Sequence, residues 1–366
     1  MSVPLDSVEV KEGRTRLLVP SEHSSKGPGK RLGKVFFNSQ MAFNRDVSVM
    51  VFRALARKGT ALDAMAATGA RGVRLANEAP GRMEVVINDK DPRAYEYIRA
   101  NIELNSLDRC TAVHQDLRCH LAGNVYDYID IDPFGTPVPF VQASLQGLKR
   151  NGILAVTATD TAPLAGTHAK KCARRYMARP LRNVFGHETG LRILVGYLAR
   201  EAAQLDKGVR PLLCFYADHY FRCFLQLPES AASADESLSY LGYLEYDPST
   251  HERSWGSGHT PTAAGPLWLG PLHDRALLAG MEAGEDLAQG PRCAKYLDLW
   301  RSELDVPFFY ENNDLSSLLR ISPPALDQVV ERLGREGKAS KTHFSPTGFK
   351  TDLGLEDLRR AYLDMS

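Results

Sequence analysis

Four aspartates stand at the ends of successive apolar runs in the first part of the chain. Asp63 falls within TALDAMAA, Asp89 closes EVVIND, Asp116 follows CTAVHQ and Asp132 follows YDYIDI. Bare carboxylates at neighbouring strand ends repel one another, so such a set calls for a ligand or a cation. Between the first two lies Thr68-Gly69-Ala70-Arg71-Gly72, whose glycines allow a tight turn and a close backbone approach to a ligand. An acid ending the next strand suits ribose hydroxyls, and Asp116 is placed to accept from an adenine amine. The loop is not G-x-G-x-x-G, and any tight strand-to-helix turn can use glycine. Asp89 has a competing use as the cap of the helix starting at Pro92. Asp91, directly before that proline, fits the cap better and leaves Asp89 for a ligand.

Asp132-Pro133-Phe134-Gly135 is the most specific of these features. An exocyclic base amine is a poor nucleophile because its lone pair is delocalised into the ring. A carboxylate that accepts an N–H bond, and then the proton, improves it towards a sulfonium methyl. Pro133 stiffens the turn, and Phe134 offers a flat face on which a base can stack. The plainer reading is a strand-ending turn, for which Asp-Pro is common chemistry. The three preceding acidic strand ends favour the chemical one. Of the two acids on this strand, Asp132 is nearer the turn than Asp130 and is the better candidate.

Two arginines, Arg45 before the first strand of this series and Arg71 in the glycine loop, suit an amino-acid carboxylate. A solvent-exposed arginine is an equally good reading of Arg71 from the residues alone. Lys170, Lys171, Arg174, Arg175, Arg179 and Arg182 follow further along. Spacing of four gathers several of them on one helical face, with almost no acid between 162 and 187 to balance them. That is a local footprint for phosphates; a solvated charged helix is the alternative. It matters because 45 basic against 44 acidic residues leave a formal net charge of +1, so overall charge says nothing for nucleic acid. Arg335, Lys338, Lys341, His343 and Lys350 offer a second basic surface in the tail.

The elements that must hold these residues alternate. Strands are expected over 60–67, EVVIND, CTAVHQD, YDYIDID and GILAVTATD, separated by helices VRLANEA, PRAYEYIRANIELNSL and VPFVQASLQGLKR. Such alternation predicts an α/β fold with a parallel sheet covered by helices, binding ligands outside the carboxyl ends of its strands. Residues 208–227 read as strands that continue the sheet. The 366 residues suit two domains, divided after Pro228 into 1–228 and 229–366. SEHSSKGPGKRLGK reads as a flexible surface loop. In the tail, DLSSLLR and PPALDQVVERLGREG read as helices and KASKTHFSPTGFKTD as a basic hairpin, a winged-helix-like arrangement. The amino terminus lacks a secretory apolar core and no run is long enough to span a membrane, which makes the expectation a cytoplasmic protein. Six cysteines without C-x-x-C spacing give no zinc pattern.

Over nearly its whole length the chain resembles the archaeal tRNA (guanine(26)-N2)-dimethyltransferases. The resemblance is carried by FFNSQMAFNRD, DAMAATGARGVRLANE, NDKDPRAYEYIRANIELN, DYIDIDPFGTP, TATDTAPLAG, FYADHYFRCF, GPLWLGPLHD and THFSPTGFKTD. It implies a class I (Rossmann-like) methyltransferase sheet followed by a family-specific carboxyl-terminal α+β domain that binds tRNA. It also implies transfer of methyl groups from S-adenosyl-L-methionine to the N2 amine of guanine 26, first one and then two. By motif, Arg45, Arg71, Asp89, Asp116 and Leu117 are the implied cofactor contacts and Asp132 the catalytic carboxylate. Pro133 and Phe134 shape the base pocket, with Phe36 stacking. Lys170, Lys171, Arg174, Arg175 and Arg179 are expected on the nucleic acid, and no obligate protein partner is implied.

Related sequences often carry a cysteine quartet before the GPLW segment. Here 240–265 has none, and His251 and His259 are too few for a closed site. The expectation is no zinc and a stretch held by packing alone. Other readings use the same features: another nucleic-acid amino-methyltransferase, a nucleotide-dependent oxidoreductase on the same fold, or a non-catalytic RNA binder. The missing G-x-G-x-x-G speaks against the oxidoreductase.

Overall fold

A computed structural model describes residues 4, 6–24, 35–79, 83–258 and 260–365. Most of the predicted glycine- and proline-rich loop before Val35, and His259, lie outside them. Contacts divide the chain into two compact units that interleave in sequence. One comprises Met1–Thr159, Asp218–Glu229 and Arg275–Leu297; the other comprises Asp160–Ala217, Ser230–Asp274 and Asp298–Ser366. The expected boundary near 228 marks one of several passages of the chain between them.

The first unit opens with a hairpin, β1 (Ser7–Glu12) and β2 (Thr15–Pro20), and helix α1 (Ala42–Leu55). There follow β3 (Gly59–Asp63), α2 (Ala70–Glu78), β4 (Met83–Asp89), α3 (Pro92–Leu104), β5 (Cys110–His114), α4 (Leu117–Leu121), β6 (Tyr126–Ile131), α5 (Val138–Gln146) and β7 (Leu148–Ala158). The strands lie in the order β5-β4-β3-β6-β7 and are mutually parallel; Tyr220–Gln226 adds an antiparallel strand beside β7. The alternating α/β reading is therefore observed. Two bounds differ: the first strand stops at Asp63 rather than running to Ala67, and the helix after Pro137 stops at Gln146 because Leu148–Arg150 already belong to β7.

Chain order reverses between β3 and β6, and ligands of open parallel sheets bind outside such a switch point. The register there sets Asp63 opposite Asp130, so crowding of carboxylates is built into the strand pairing. Gly69, at φ 78, starts α2 from the left-handed region that suits glycine. Gly72 lies inside α2, where a Cβ would stand 2.7 Å from Ile87 Cγ1. It serves helix-to-sheet packing rather than the backbone approach to a ligand expected from the sequence.

Helix α1 is buried from Ala42 to Phe52, and its buried stretch includes Asn44, Arg45, Asp46 and Ser48. Such polar groups are tolerated in a core only when they are paired. Arg74, fully buried on α2, makes ion pairs with Glu12 at 2.8 Å, Asp46 at 2.5 Å and Glu78 at 2.8 Å. Arg45 shares Glu12 at 2.6 Å. The hairpin, α1 and α2 are thus joined by charge as well as by apolar contact.

In the second unit, helix Gly186–Ala203 is buried over most of its length. The cysteine-free stretch is not held by packing alone: strands Leu241–Tyr246, Arg253–Gly256 and Ala264–Trp268 form an antiparallel sheet whose backbone hydrogen bonds secure it. The tail contains the two expected helices, Asn312–Leu319 and Leu326–Leu333. The expected hairpin follows as Ala339–Lys341 and Gly348–Thr351, and a further helix spans Leu355–Leu363. Leu315, Val329, Leu333, Phe349 and Tyr362 form their shared core. Two of the tail's basic residues are not a contact surface. Lys350 is buried, 3.1 Å from Glu188 and 3.0 Å from Glu303, and His343 is buried against Glu303 at 2.6 Å. Both answer buried carboxylates, which a core does not tolerate unpaired. Arg335 and Lys341 are engaged by Glu331 and Asp327 at the surface.

Arg74→Met keeps bulk but leaves Glu12, Asp46 and Glu78 short of their shared cation. The expected loss is about 3–5 kcal/mol, read as a lower midpoint in urea unfolding. An unchanged midpoint would contradict the role given to this network.

Candidate functional site

Two adjoining cavities open at the carboxyl ends of β3, β4 and β6. The larger, about 410 Å³, is lined by Ala64, Met65, Asp89, Ala94, Asp116 and Leu117 among others. The smaller, about 110 Å³, is lined by Asn38, Met41, Arg45, Asp63, Thr68, Arg71 and Thr159 among others. Phe36, Met65, Ala67, Asp132, Pro133 and Phe134 belong to both walls. The DPFG turn therefore sits where the two spaces meet.

Asp91 takes the helix cap, accepting from Arg93 N–H at 3.0 Å, and Asp89 faces the larger cavity. Its carboxylate accepts from the backbone N–H of Ala67 at 2.8 Å and of Asp91 at 2.9 Å. One bond per oxygen fixes its orientation and leaves a lone pair on each for a ligand hydroxyl. Asp116 lies beyond the end of β5 and caps α4, accepting from Arg118 N–H at 3.0 Å, while Leu117 is buried in the wall. Two acids in a wall that also carries Ala64, Met65, Ala94 and Leu117 suit a nucleoside, which needs polar partners for its sugar and an apolar surface for its base.

The smaller cavity is built on charge. Arg71 directs Nη1 to Asn44 Oδ1 and Ser48 Oγ, both at 2.7 Å, and Nη2 to Asp132. Its Nε lies 3.7 Å from Asp130. Nη2 carries two hydrogens, one of which Asp132 takes. Arg222 holds both oxygens of Asp130, at 2.7 and 2.6 Å, and Tyr128 donates its hydroxyl to the same carboxylate at 2.9 Å. Asp130 is fully buried, whereas the Asp132 side chain is 24% exposed; Asp132, not Asp130, reaches the cavities. Arg45 lies at the edge of the smaller one, with Nε and Nη2 committed to Glu12 and Nη2 also donating to Asn38 O. Arg71 is thus no solvent-exposed arginine.

The charges in this cluster balance in one arrangement. Burial pushes the Asp63 carboxyl up to about 7, opposed by Arg71 and reinforced by Asp130. Burial also disfavours the charged form of Asp130, yet Arg222 and Arg71 hold its carboxyl below the usual range. With Asp63 protonated, two carboxylates face two guanidiniums. Loss of that proton leaves one negative charge in excess.

The DPFG turn is tied to Thr159, just beyond the end of β7. Gly135 donates its N–H to Thr159 Oγ1 at 2.8 Å and accepts from Thr159 N–H at 2.9 Å. Phe134 projects 66% exposed, with Phe36 edge-on at 4.7 Å between ring centroids. An exposed aromatic braced by a second ring offers a flat face to an incoming base.

The basic residues belong to the second unit. Lys170, Lys171, Arg174 and Arg175 lie on helix Ala169–Tyr176, but Arg179 and Arg182 fall beyond its end and do not extend a helical face. Arg175 is paired with Asp160 at 2.9 Å, an acid just outside the stretch that reads as acid-free. Lys170, Arg174, Arg179 and Arg182 are exposed, and Arg179 donates to the backbone of Pro261.

Sequence reasoning missed Asn44, Ser48, Thr159 and Arg222 in this site. Only Arg222 carries a sequence signal, a charge within the apolar strand Tyr220–Gln226. The other three are small polar residues whose roles arise only from what the fold brings next to them.

The family model for N2,N2-dimethylguanosine tRNA methyltransferase matches residues 13–362. Curated tRNA (guanine(26)-N(2))-dimethyltransferases are similar to the chain. That of Pyrococcus abyssi is 40% identical, covering 96% of this chain and 97% of its own. That of Methanosphaerula palustris is 40% identical over 98% and 99%. The solved structure of Trm1 from Pyrococcus horikoshii in complex with S-adenosyl-L-methionine superposes with a TM-score of 0.89 at 39% identity, covering 97% of this chain and 99% of that one.

Asp63 gives a pH test. Its folded value lies above its ordinary one, so its contribution to stability is full below pH 4, is lost as pH rises and levels off above about 7. Asp63→Asn keeps an acceptor for the Gly72 N–H and removes the titration. The variant is expected to gain several degrees in Tm over wild type at pH 8, with the gain shrinking towards pH 4–5. Thermal melts across that range check it; a pH-independent difference would contradict it.

Proposed function

The chain belongs to the N2,N2-dimethylguanosine tRNA methyltransferase family, and from that premise we propose that it methylates the N2 amine of guanine 26 in tRNA, once and then again. The observation that carries the reading is the placement of Asp132 on the wall common to both cavities. S-adenosyl-L-methionine supplies an electrophilic sulfonium methyl to such a site. Asp89 and Asp116 accept from its nucleoside hydroxyls and amine, and Leu117 packs against the base. Arg71 and Arg45 face its amino-acid carboxylate, the uncommitted hydrogen of Arg71 Nη2 being available for that bond.

The target guanine is flipped onto Phe134, with Phe36 and Pro133 confining it. Asp132 accepts an N2–H, concentrates the lone pair on nitrogen and takes the proton as the methyl transfers. For the second transfer the remaining N–H must reach the same carboxylate with a methyl group already present. Gly135 leaves that side of the turn open: a Cβ there would meet nothing within 4 Å.

Phosphates of the tRNA meet Lys170, Lys171, Arg174 and Arg179, with Arg175 serving mainly to hold Asp160. Residues 229–366, with their winged-helix-like tail, add to tRNA binding. No helix among the described residues is long and apolar enough to cross a membrane. We place the enzyme in the cytoplasm and assign it no obligate protein partner.

Mass spectrometry of nucleosides from unmodified tRNA treated with the protein tests the reaction; N2-methylguanosine and N2,N2-dimethylguanosine at position 26 are expected. Asp132→Asn should lower turnover by about 10²–10⁴-fold, and unchanged turnover would remove Asp132 from the chemistry. Lys170→Glu with Arg174→Glu should weaken tRNA binding about tenfold or more and flatten its salt dependence. Filter binding at two salt concentrations measures both, and an unaltered salt slope would place the phosphates elsewhere.

A further inference from the structure

Arg222 lies behind the cavity wall and is given no part in the chemistry above, yet it is among the most completely buried charges of the first unit, with no exposed side-chain area. It lies on the strand beside β7, with its guanidinium over the Phe224 ring at 4.4 Å. Its terminal nitrogens donate to both oxygens of Asp130, to Thr157 Oγ1 at 3.0 Å and to Ser48 Oγ at 3.1 Å. Ser48 Oγ also accepts from Arg71 at 2.7 Å, so one hydroxyl fixes both guanidiniums.

Asp130 stands between two cations. Arg222 engages it in a close two-bond pair, while Arg71 remains at 3.7 Å. A buried carboxylate that loses its partner is strongly destabilised; it is relieved by a proton or by a cation drawn closer, and a guanidinium already 3.7 Å away is the nearer remedy. Among the described residues, Arg71 is the other cation paired with Asp130. Its capture would draw Arg71 off Asn44 and Asp132 and turn Nη2 from the cavity wall.

We propose that Arg222 is a positioning residue for the methyl donor: by satisfying Asp130 it keeps Arg71 at the cavity, where Nη2 meets the donor's carboxylate. The inference rests on the cofactor reading given above. It assigns Arg222 no contact with substrate or cofactor. Its effect passes through Asp130 and Arg71 and falls on one functional group of the ligand.

That selectivity separates positioning from a merely structural role. Full-length wild type and variants are titrated calorimetrically with S-adenosylhomocysteine, which carries the carboxylate, and with 5′-methylthioadenosine, which lacks the amino-acid end. Wild type is expected to prefer S-adenosylhomocysteine. Arg222→Met should weaken that ligand about tenfold, the equivalent of one lost charge-assisted hydrogen bond, and leave 5′-methylthioadenosine within about twofold, inside the range of a bystander. Asp130→Asn added to Arg222→Met removes the charge that attracts Arg71 and should restore most of the preference. Arg222→Lys, which keeps the charge with poorer geometry, should fall between and serves if the methionine variant does not fold.

Equal weakening of both ligands, an unchanged preference in Arg222→Met and Arg222→Lys, or no recovery in the double variant would each overturn the proposal. A wild type that binds neither ligand would contradict the cofactor reading itself, and a wild type with no preference would contradict the Arg71–carboxylate contact on which the proposal depends.

Discussion

Three carboxylates occupy adjacent strand ends, and two of them are almost wholly buried. The pairing of β3 with β6 sets Asp63 beside Asp130, and Asp132 follows at once. Such a cluster is incompatible with a closed core unless cations enter it. Arg71 comes from α2 and Arg222 from the antiparallel strand beyond β7. Asn44 and Ser48 of α1 then hold Arg71 in place. Helix α1, the glycine loop and the added strand each contribute to meeting this electrostatic requirement.

The same requirement divides the site into two ends. At the larger cavity, Asp89 is held by backbone N–H groups alone and keeps acceptor capacity for a sugar. At the smaller one, the carboxylates are matched by guanidiniums, and what lines the cavity is a cation with a spare hydrogen beside a partly exposed acid. A methyl donor with a nucleoside at one end and an amino acid at the other fits that division. A base amine brought to the shared wall meets Asp132. In the proposed reading the substrate ring rests on Phe134, which the fold leaves exposed and braces with Phe36.

Much of this is legible in the residues because the sheet is local in sequence. Each strand, turn and helix repeats along the chain, so Asp63, Asp89, Asp116 and Asp132 could be placed at strand ends from the order of apolar runs. What depends on non-local pairing was not legible. Arg222 reaches Asp130 across 92 positions of sequence, and no spacing rule connects them. The same holds for Lys350, a basic residue of a hairpin that reads as surface until Glu188, 162 positions away, is seen to bury it. Arg175 illustrates the limit of charge counting: a single acid outside the counted window neutralises it. The strand pairing of 241–268 is hidden in the sequence for a related reason, since its strands are only four to six residues long and the segments between them, DPSTHE and SGHTPTA, are polar and carry proline.

The central claim is that the buried charge cluster presents Arg71 to a ligand carboxylate and Asp132 to the reacting amine. A crystal structure of the protein with S-adenosylhomocysteine tests it most directly. The account predicts the ligand carboxylate within hydrogen-bonding distance of Arg71 Nη2, Arg71 still held by Asn44 and Ser48, Arg222 still on Asp130, and the Asp132 carboxylate facing the ligand's sulfur across the smaller cavity. A carboxylate held elsewhere, with Asp132 turned away from the sulfur, would contradict it.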